Sequence, residues 1–331
     1  MDPLSQAVIG AGLAMSFARR DRLRTACIAG ALGGMAPDLD ILIRSATDPL
    51  LALEYHRHFT HSLAMIPVIG AIVGLLLSLF PRQAALRQQL IVSAILGAAT
   101  HGLLDACTSY GTQLYWPFSN ERVAWNNVAI VDPIPTLLGL GGIIWSLRIR
   151  SVAPAAIGLA CFIGYLVLGV VQRDRALDVQ QQILKDRGHT AQRRSAKPTI
   201  FNNIVFRSIY ESDGRYYIDA IRVPWFGSAA LREGVSVAKM EWAAAAQLLP
   251  STSPQVDDLR RFSWFSDDYL AQMPDGLISD VRYSMIPQSA SPMWGIYLHP
   301  EEPERHVTYW MGRNIDAESR TAFFGFLLSG S

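Results

Sequence analysis

Charge is scarce in this sequence. Only 17% of its 331 residues are Asp, Glu, Lys or Arg, and half are hydrophobic. That charged share is low for a chain surrounded entirely by water. The charges nearly cancel, to a formal +1, so no global basic field points to nucleic acid. Cysteine is scarcer still. Cys27, Cys107 and Cys161 are scattered through apolar stretches without a CxxC spacing. This argues against a zinc–thiolate site and leaves them as small buried side chains. The N-terminus has no basic stretch of the kind that opens a cleavable signal peptide.

Apolar residues, by contrast, are unevenly spread. Up to about Val171 the chain is almost continuously apolar, and from Gln172 it reads as ordinary water-facing sequence. Six apolar segments, 4–18, 23–36, 63–80, 89–107, 130–147 and 152–171, precede that boundary. A bilayer core takes about 20 residues of helix, which 63–80 and 152–171 nearly or fully supply. The two shortest, 4–18 and 23–36, read as spans by the company they keep. Pro37 and Pro81 close the second and third segments, and Asp132-Pro133 opens the fifth as N-cap and first-turn proline. The expected fold is an all-α multi-pass membrane domain of about six helices (1–171), a polar helical linker (172–198) and a small α+β soluble domain (199–331). In the last, two alternating strands flank Ser212-Asp213-Gly214, an amphipathic helix lies within 253–273, and further strands fall in 277–286, 293–300 and 306–313. No catalytic pattern is found in this part.

Arginine sets an expected orientation. The first, third and fifth connections carry eight arginines, from Arg19 to Arg150, against Arg44, Arg57 and Arg122 in the second and fourth. The positive-inside rule then puts the odd connections in the cytoplasm, and the chain after Val171 outside. The basic run from Arg173 to Lys197 pulls the other way, but long translocated domains obey the rule poorly.

Under this topology Asp2, Asp38 and Asp40, the motif His56–His58–His61, the pair His101 and Asp105, and Asp132 all arrive at one membrane face. Ionisable groups near lipid are costly, so they pair, bind an ion or line a wet cavity. His101 and Asp105 are four apart, on one helical face. Asp38 and Asp40 point the same way if their segment is extended. Singly, each motif has an ordinary structural role: a hydrogen-bonded pair, a helix stop, a helix cap. Together they form a nitrogen-and-oxygen donor set suited to a divalent metal, zinc first, with manganese or iron as alternatives. The candidate ligands are Asp38, Asp40, His56, His61, His101 and Asp105. Six exceed one tetrahedral site, so one or two ions are expected. Tyr110, Tyr115, Trp116, Phe118 and Trp125 read as an interfacial aromatic belt or as the rim for an amphiphilic substrate.

The stretches MDPLSQAVIGA, PDLD, HRHFTHS, THGLLDACTSYGTQLYWPFS and AWNN…VDP, in that order over roughly residues 1–150, resemble the bacterial inner-membrane metal-dependent hydrolases of the YdjM type. That family is thought to be distantly similar to zinc-dependent phospholipase C. The resemblance implies a helical hydrolase with metal held by the six residues above. This sequence has Gln6 and His58 where some members have histidine and glycine.

The expected activity is therefore metal-assisted hydrolysis of an ester or phosphoester of a lipid or envelope substrate. Asp38 or Asp40 would take a proton from water, Arg57 would hold a phosphate or anchor at the headgroups, and His58 is the remaining catalytic candidate. Expected partners are the bilayer and a lipid-like substrate, not nucleic acid; the expected location is the inner membrane, with the site and C-terminal domain on the periplasmic side. The competing expectation is a non-enzymatic scaffold with a structural metal and a partner-binding soluble domain. A transporter ranks last, because the polar residues collect at one end.

Overall fold

The computed structural model describes residues 1–312 and 317–329. Two compact units emerge. One comprises Met1–Leu42, Tyr55–Val171 and Ile200–Asn203; the other comprises Ile43–Glu54, Gln172–Thr199 and Ile204–Ser331.

The first unit is helical: α1 (Pro3–Ser16), α2 (Leu23–Met35), α4 (Ile66–Ser78), α5 (Arg87–Cys107), α6 (Pro133–Ile149) and the start of α7 (Ala153–Arg187). A short α3 (Leu51–Tyr55) precedes the histidine motif. Asp2 caps α1 by accepting from Ser5 N, and Asp132 caps α6 by accepting from Ile134 N. Helices α1, α2 and α5 meet backbone to backbone through small residues, as membrane helices do. A Cβ at Gly97 of α5 would overlap the Gly30 carbonyl of α2.

Six membrane spans are not what forms. Among the described residues, two helices are long and apolar enough to cross a bilayer, Ala84–Cys107 and Ala153–Arg187. A third span exists only if the pair Leu51–His61 and Leu63–Ser78, bent by 60°, counts as one. The physical reason is length. At about 1.5 Å per residue, the 14-residue α1 and 13-residue α2 reach only about 20 Å, short of a hydrocarbon core of about 30 Å. Their apolarity serves packing instead: Val8, Met15, Ala26 and Ile143 share one core cluster.

The second unit carries two four-stranded antiparallel sheets, in the orders β1-β2-β3-β4 and β5-β6-β7-β8. The first is β1 (Arg193–Pro198), β2 (Val205–Ser212), β3 (Arg215–Arg222) and β4 (Ala230–Ala238); the second is β5 (Leu270–Gln272), β6 (Ile278–Asp280), β7 (Trp294–Tyr297) and β8 (Thr308–Met311). The expected hairpin is β2–β3. Asp213 (φ 50°) and Gly214 (φ 68°) are both left-handed, the two-residue turn that matches strand twist. The expected amphipathic helix is α9 (Pro254–Phe265), after the short α8 (Trp242–Ala246). The last expected strand is β8; position 313 lies outside the described residues. The 172–198 segment is not all helical linker: α7 continues to Arg187, and Arg193–Pro198 is a strand.

One face of the first sheet packs Ala196, Phe206 and Ile221 on Ala176 and Ile183 of α7. The opposite face packs Ile209, Tyr216 and Ile218 on Tyr269, Ala271 and Val281. Alternation along β2 and β3 produces both faces.

Candidate metal centre

Proline ends α2, and the chain continues as a 3-10 turn, Ala36–Leu42, holding Asp38 and Asp40. His61 closes a second 3-10 turn, Phe59–His61, just before α4. His101 and Asp105 stand one turn apart in the last third of α5. These elements pack where Gly102 lets α5 approach the His61 carbonyl, which a Cβ would overlap.

Asp38, His61, His101 and Asp105 bring one donor atom each within 4.8 Å of all the others. Asp38 Oδ1 is 3.4 Å from both His61 Nε2 and His101 Nε2. Asp105 Oδ2 is 3.2 Å from His61 Nε2 and 3.9 Å from His101 Nε2. The two Nε2 atoms are 2.8 Å apart. Donors around a tetrahedral ion with bonds of about 2.05 Å are separated by about 3.3 Å, so this spacing fits.

The tautomers follow from the other ring atoms. His101 Nδ1 faces the Gly34 carbonyl at 2.5 Å, which only accepts, so Nδ1 carries the proton. His61 Nδ1 lies 3.3 Å from Asp40 Oδ2 and 3.0 Å from Thr60 Oγ1, and Thr60 itself donates to Asp40 at 3.2 Å. Both rings therefore aim Nε2 lone pairs at the same point. Two lone pairs at that separation repel unless a cation or proton lies between them. Asp105 Oδ2 is buried, accepts no hydrogen bond and points there too. The donor set fits a divalent ion.

Around it sits a supporting layer. Asp40 joins His56 Nδ1 (3.0 Å), Arg57 N (2.9 Å) and Thr60, so it orients His61 from outside the four-residue group. His56 likewise stands outside. Arg57, in the left-handed region at φ 65°, is buried. Its Nε is 3.1 Å from Asp105 Oδ2, its Nη1 donates to Thr108 Oγ1 at 2.7 Å, and its guanidinium lies 4.8 Å from the Tyr110 ring. That burial removes the headgroup-anchor role. His58 is set among the rings of Tyr55, Phe59 and Trp116 and is not one of the four. Gln6 donates to Asp105 Oδ1 at 2.8 Å, and the Met1 amino group bonds the same oxygen. Asp2 and Asp132 are helix caps. Gln6, Thr60 and Thr108 were missed as supports; Gln6 was signalled only as a departure from the family's histidine, and Thr60 and Thr108 only by their position beside the motifs.

The Asp38 side chain is 25% exposed and that of His56 31%, whereas those of His61, His101 and Asp105 are sealed. Solvent thus reaches the group on its Asp38 side.

The YdjM inner membrane protein family matches residues 1–176, more than half of the chain. This chain belongs to that family. The matched region contains all four residues of the cluster. The chain is also similar to the "Uncharacterized protein YfhP" of Bacillus subtilis (strain 168), 31% identical over 139 residues, which cover 42% of this chain and 40% of that protein. The chain thus spans about two fifths of that relative's length. No solved structure matches.

Because Asp40 fixes the His61 tautomer, Asp40→Asn is expected to weaken metal binding of this YdjM family member about 10- to 100-fold. Competition with a chelator checks this; unchanged affinity would show that His61 is oriented without it.

Proposed function

We propose that the protein is a membrane-bound, metal-dependent hydrolase of an ester or phosphoester in a lipid-like envelope substrate. The observation that carries this is the convergence of two imidazole Nε2 atoms and two carboxylate oxygens on one point, open on one side. Four donors suit one ion. Nitrogen and oxygen without sulfur favours zinc, with manganese or iron as alternatives.

A divalent ion held by Asp38, His61, His101 and Asp105 would supply Lewis acidity toward water and an ester oxygen. The chain's own residues do the rest. Arg57 holds Asp105, and Asp40 and the Gly34 carbonyl hold the two imidazoles. His56, bonded through Nδ1 to Asp40 and with its ring centroid 6.0 Å from that of His61, takes the proton from attacking water. Asp40 is too enclosed for that role. The site lies at the ends of α2 and α5 and the start of α4, opposite the arginine-rich connections, which supports a periplasmic placement in a multi-pass inner-membrane protein.

The sealing of three of the four donors favours a second possibility, a structural ion in a non-enzymatic scaffold. A panel of chromogenic carboxyl esters and phosphodiesters separates the two. With metal retained, His56→Gln is expected to lower turnover about 10²- to 10⁴-fold. Metal-loaded protein that cleaves nothing in the panel would overturn the hydrolase.

A further inference from the structure

The first sheet has two unlike ends. Where β2 turns into β3, the connection is polar and charged, Ser212-Asp213-Gly214-Arg215. At the opposite end lie the connections 199–204 and 223–229, which hold no charged residue. The 223–229 connection also displays aromatics: Phe226 is 91% exposed and Trp225 42%. Large apolar side chains grouped and exposed in this way mark a contact surface.

Where this end sits along α7 is fixed by hydrogen bonds. Gln172 and Arg175 form the first polar turn after the apolar stretch that closes at Val171. Gln172 Nε2 donates to the Val223 carbonyl at 2.7 Å, and Arg175 Nη1 to the Pro224 carbonyl at 2.7 Å. Val223 N in turn donates to the Ile204 carbonyl at 2.8 Å, tying the two connections together. The loop is thus pinned to the turn at which α7 leaves the apolar region. Phe226 is three residues beyond Val223, a reach of at most about 10 Å. The headgroup layer on each side of a bilayer core is roughly 5–8 Å thick. The aromatic tips are therefore within reach of it.

We infer that this end of the sheet is a membrane-interface anchor: the 223–229 loop seats Trp225 and Phe226 at the headgroup–acyl boundary of the bilayer that α7 crosses. The inference rests on α7 spanning that bilayer. Tryptophan and other aromatics prefer this depth, and the lack of charge in both connections removes the cost of placing them there. The anchor is independent of any chemistry at the metal centre.

Site-directed labelling with an environment-sensitive fluorophore tests this in phosphatidylcholine–phosphatidylglycerol vesicles containing nitroxide lipids. Three full-length proteins are compared: native protein labelled at the exposed Cys161 within the α7 span, and Cys161→Ala protein carrying either Phe226→Cys or Glu301→Cys. Cys161→Ala alone gives the background. The expected result is at least twofold quenching of the 226 label by shallow nitroxides, quenching of the Cys161 label by deep ones, and none at 301. A quenched Cys161 label beside a 226 label that behaves like 301 would overturn the anchor while leaving the span intact. A 226 label that is blue-shifted yet unquenched by lipid would indicate a protein partner and also overturn it. An unquenched Cys161 label would remove the span and the anchor together.

Discussion

Replacing His101 by alanine is expected to strip the purified protein of its metal, with affinity falling at least a thousandfold. The side chain supplies one of only two nitrogen donors, and its Nδ1 is already spent on the Gly34 carbonyl. With it gone, the remaining three donors are two carboxylates and the single imidazole of His61. A thousandfold loss is about 4 kcal/mol of binding. Because binding to the folded state stabilises it by mass action, the thermal midpoint measured with metal present should fall toward that of the metal-free protein. His58→Ala, in the aromatic setting of Tyr55 and Trp116, should keep both metal content and midpoint. Elemental analysis of the two variants side by side is the check. Full metal occupancy in His101→Ala would mean that the donors assigned above are not the ligands.

Lys197→Met is expected to raise stability strongly at neutral and acidic pH and to have little effect at pH above 10. Lys197 lies directly across the ladder from Arg207, with both side chains buried. Burial, reinforced by the charges of Arg282 and Arg207, lowers its ammonium from 10.5 to about 7. A base whose folded value is depressed binds fewer protons folded than unfolded between those two limits. Stability therefore climbs as pH rises from about 7 to 10.5, and the full cost is present below 7. At about 1.4 kcal/mol per unit, the depression opposes folding by an amount on the order of 5 kcal/mol. Methionine fills a similar volume without the charge. Thermal unfolding of both proteins between pH 6 and 10 should show a rising midpoint in the native protein and a flatter, higher one in the variant. Parallel curves would show that Lys197 keeps its ordinary ionisation.

Much of the four-residue cluster was legible because each of its residues sits in a short motif, dense in acids or imidazoles, at the end of an apolar helix. His101 and Asp105 are four apart, and a helix puts them on one face; the structure keeps that. The division of labour was not legible. Asp38 and Asp40, expected side by side on an extended segment, instead lie in a 3-10 turn, whose three residues per turn point them in different directions. One joins the four donors and the other supports His61. His56 and His61 could not be told apart by spacing alone, since a loop decides their aim. Arg57 could have faced lipid headgroups or the interior, and only the packing of Tyr110 and Thr108 around it decides.

The fold shows the same limit. Hydropathy does not separate a span from a shorter apolar helix: α1 and α2 are apolar but only 14 and 13 residues long, and their small residues pack against α5. The β2–β3 hairpin was legible because Asp213-Gly214 dictates its turn. Strand β1 was not, since its sequence RRSAKP is as polar as a linker and its lysine lies against Tyr283 and Arg282, in a distant part of the sequence.

The central claim is that Asp38, His61, His101 and Asp105 hold one ion. X-ray absorption at the metal edge of the purified, metal-loaded protein tests it most directly. The expected spectrum contains four or five nitrogen and oxygen neighbours near 2.0–2.1 Å, two of them imidazoles by their outer-shell scattering, and no sulfur. A sulfur neighbour, or no imidazole signal, would contradict it.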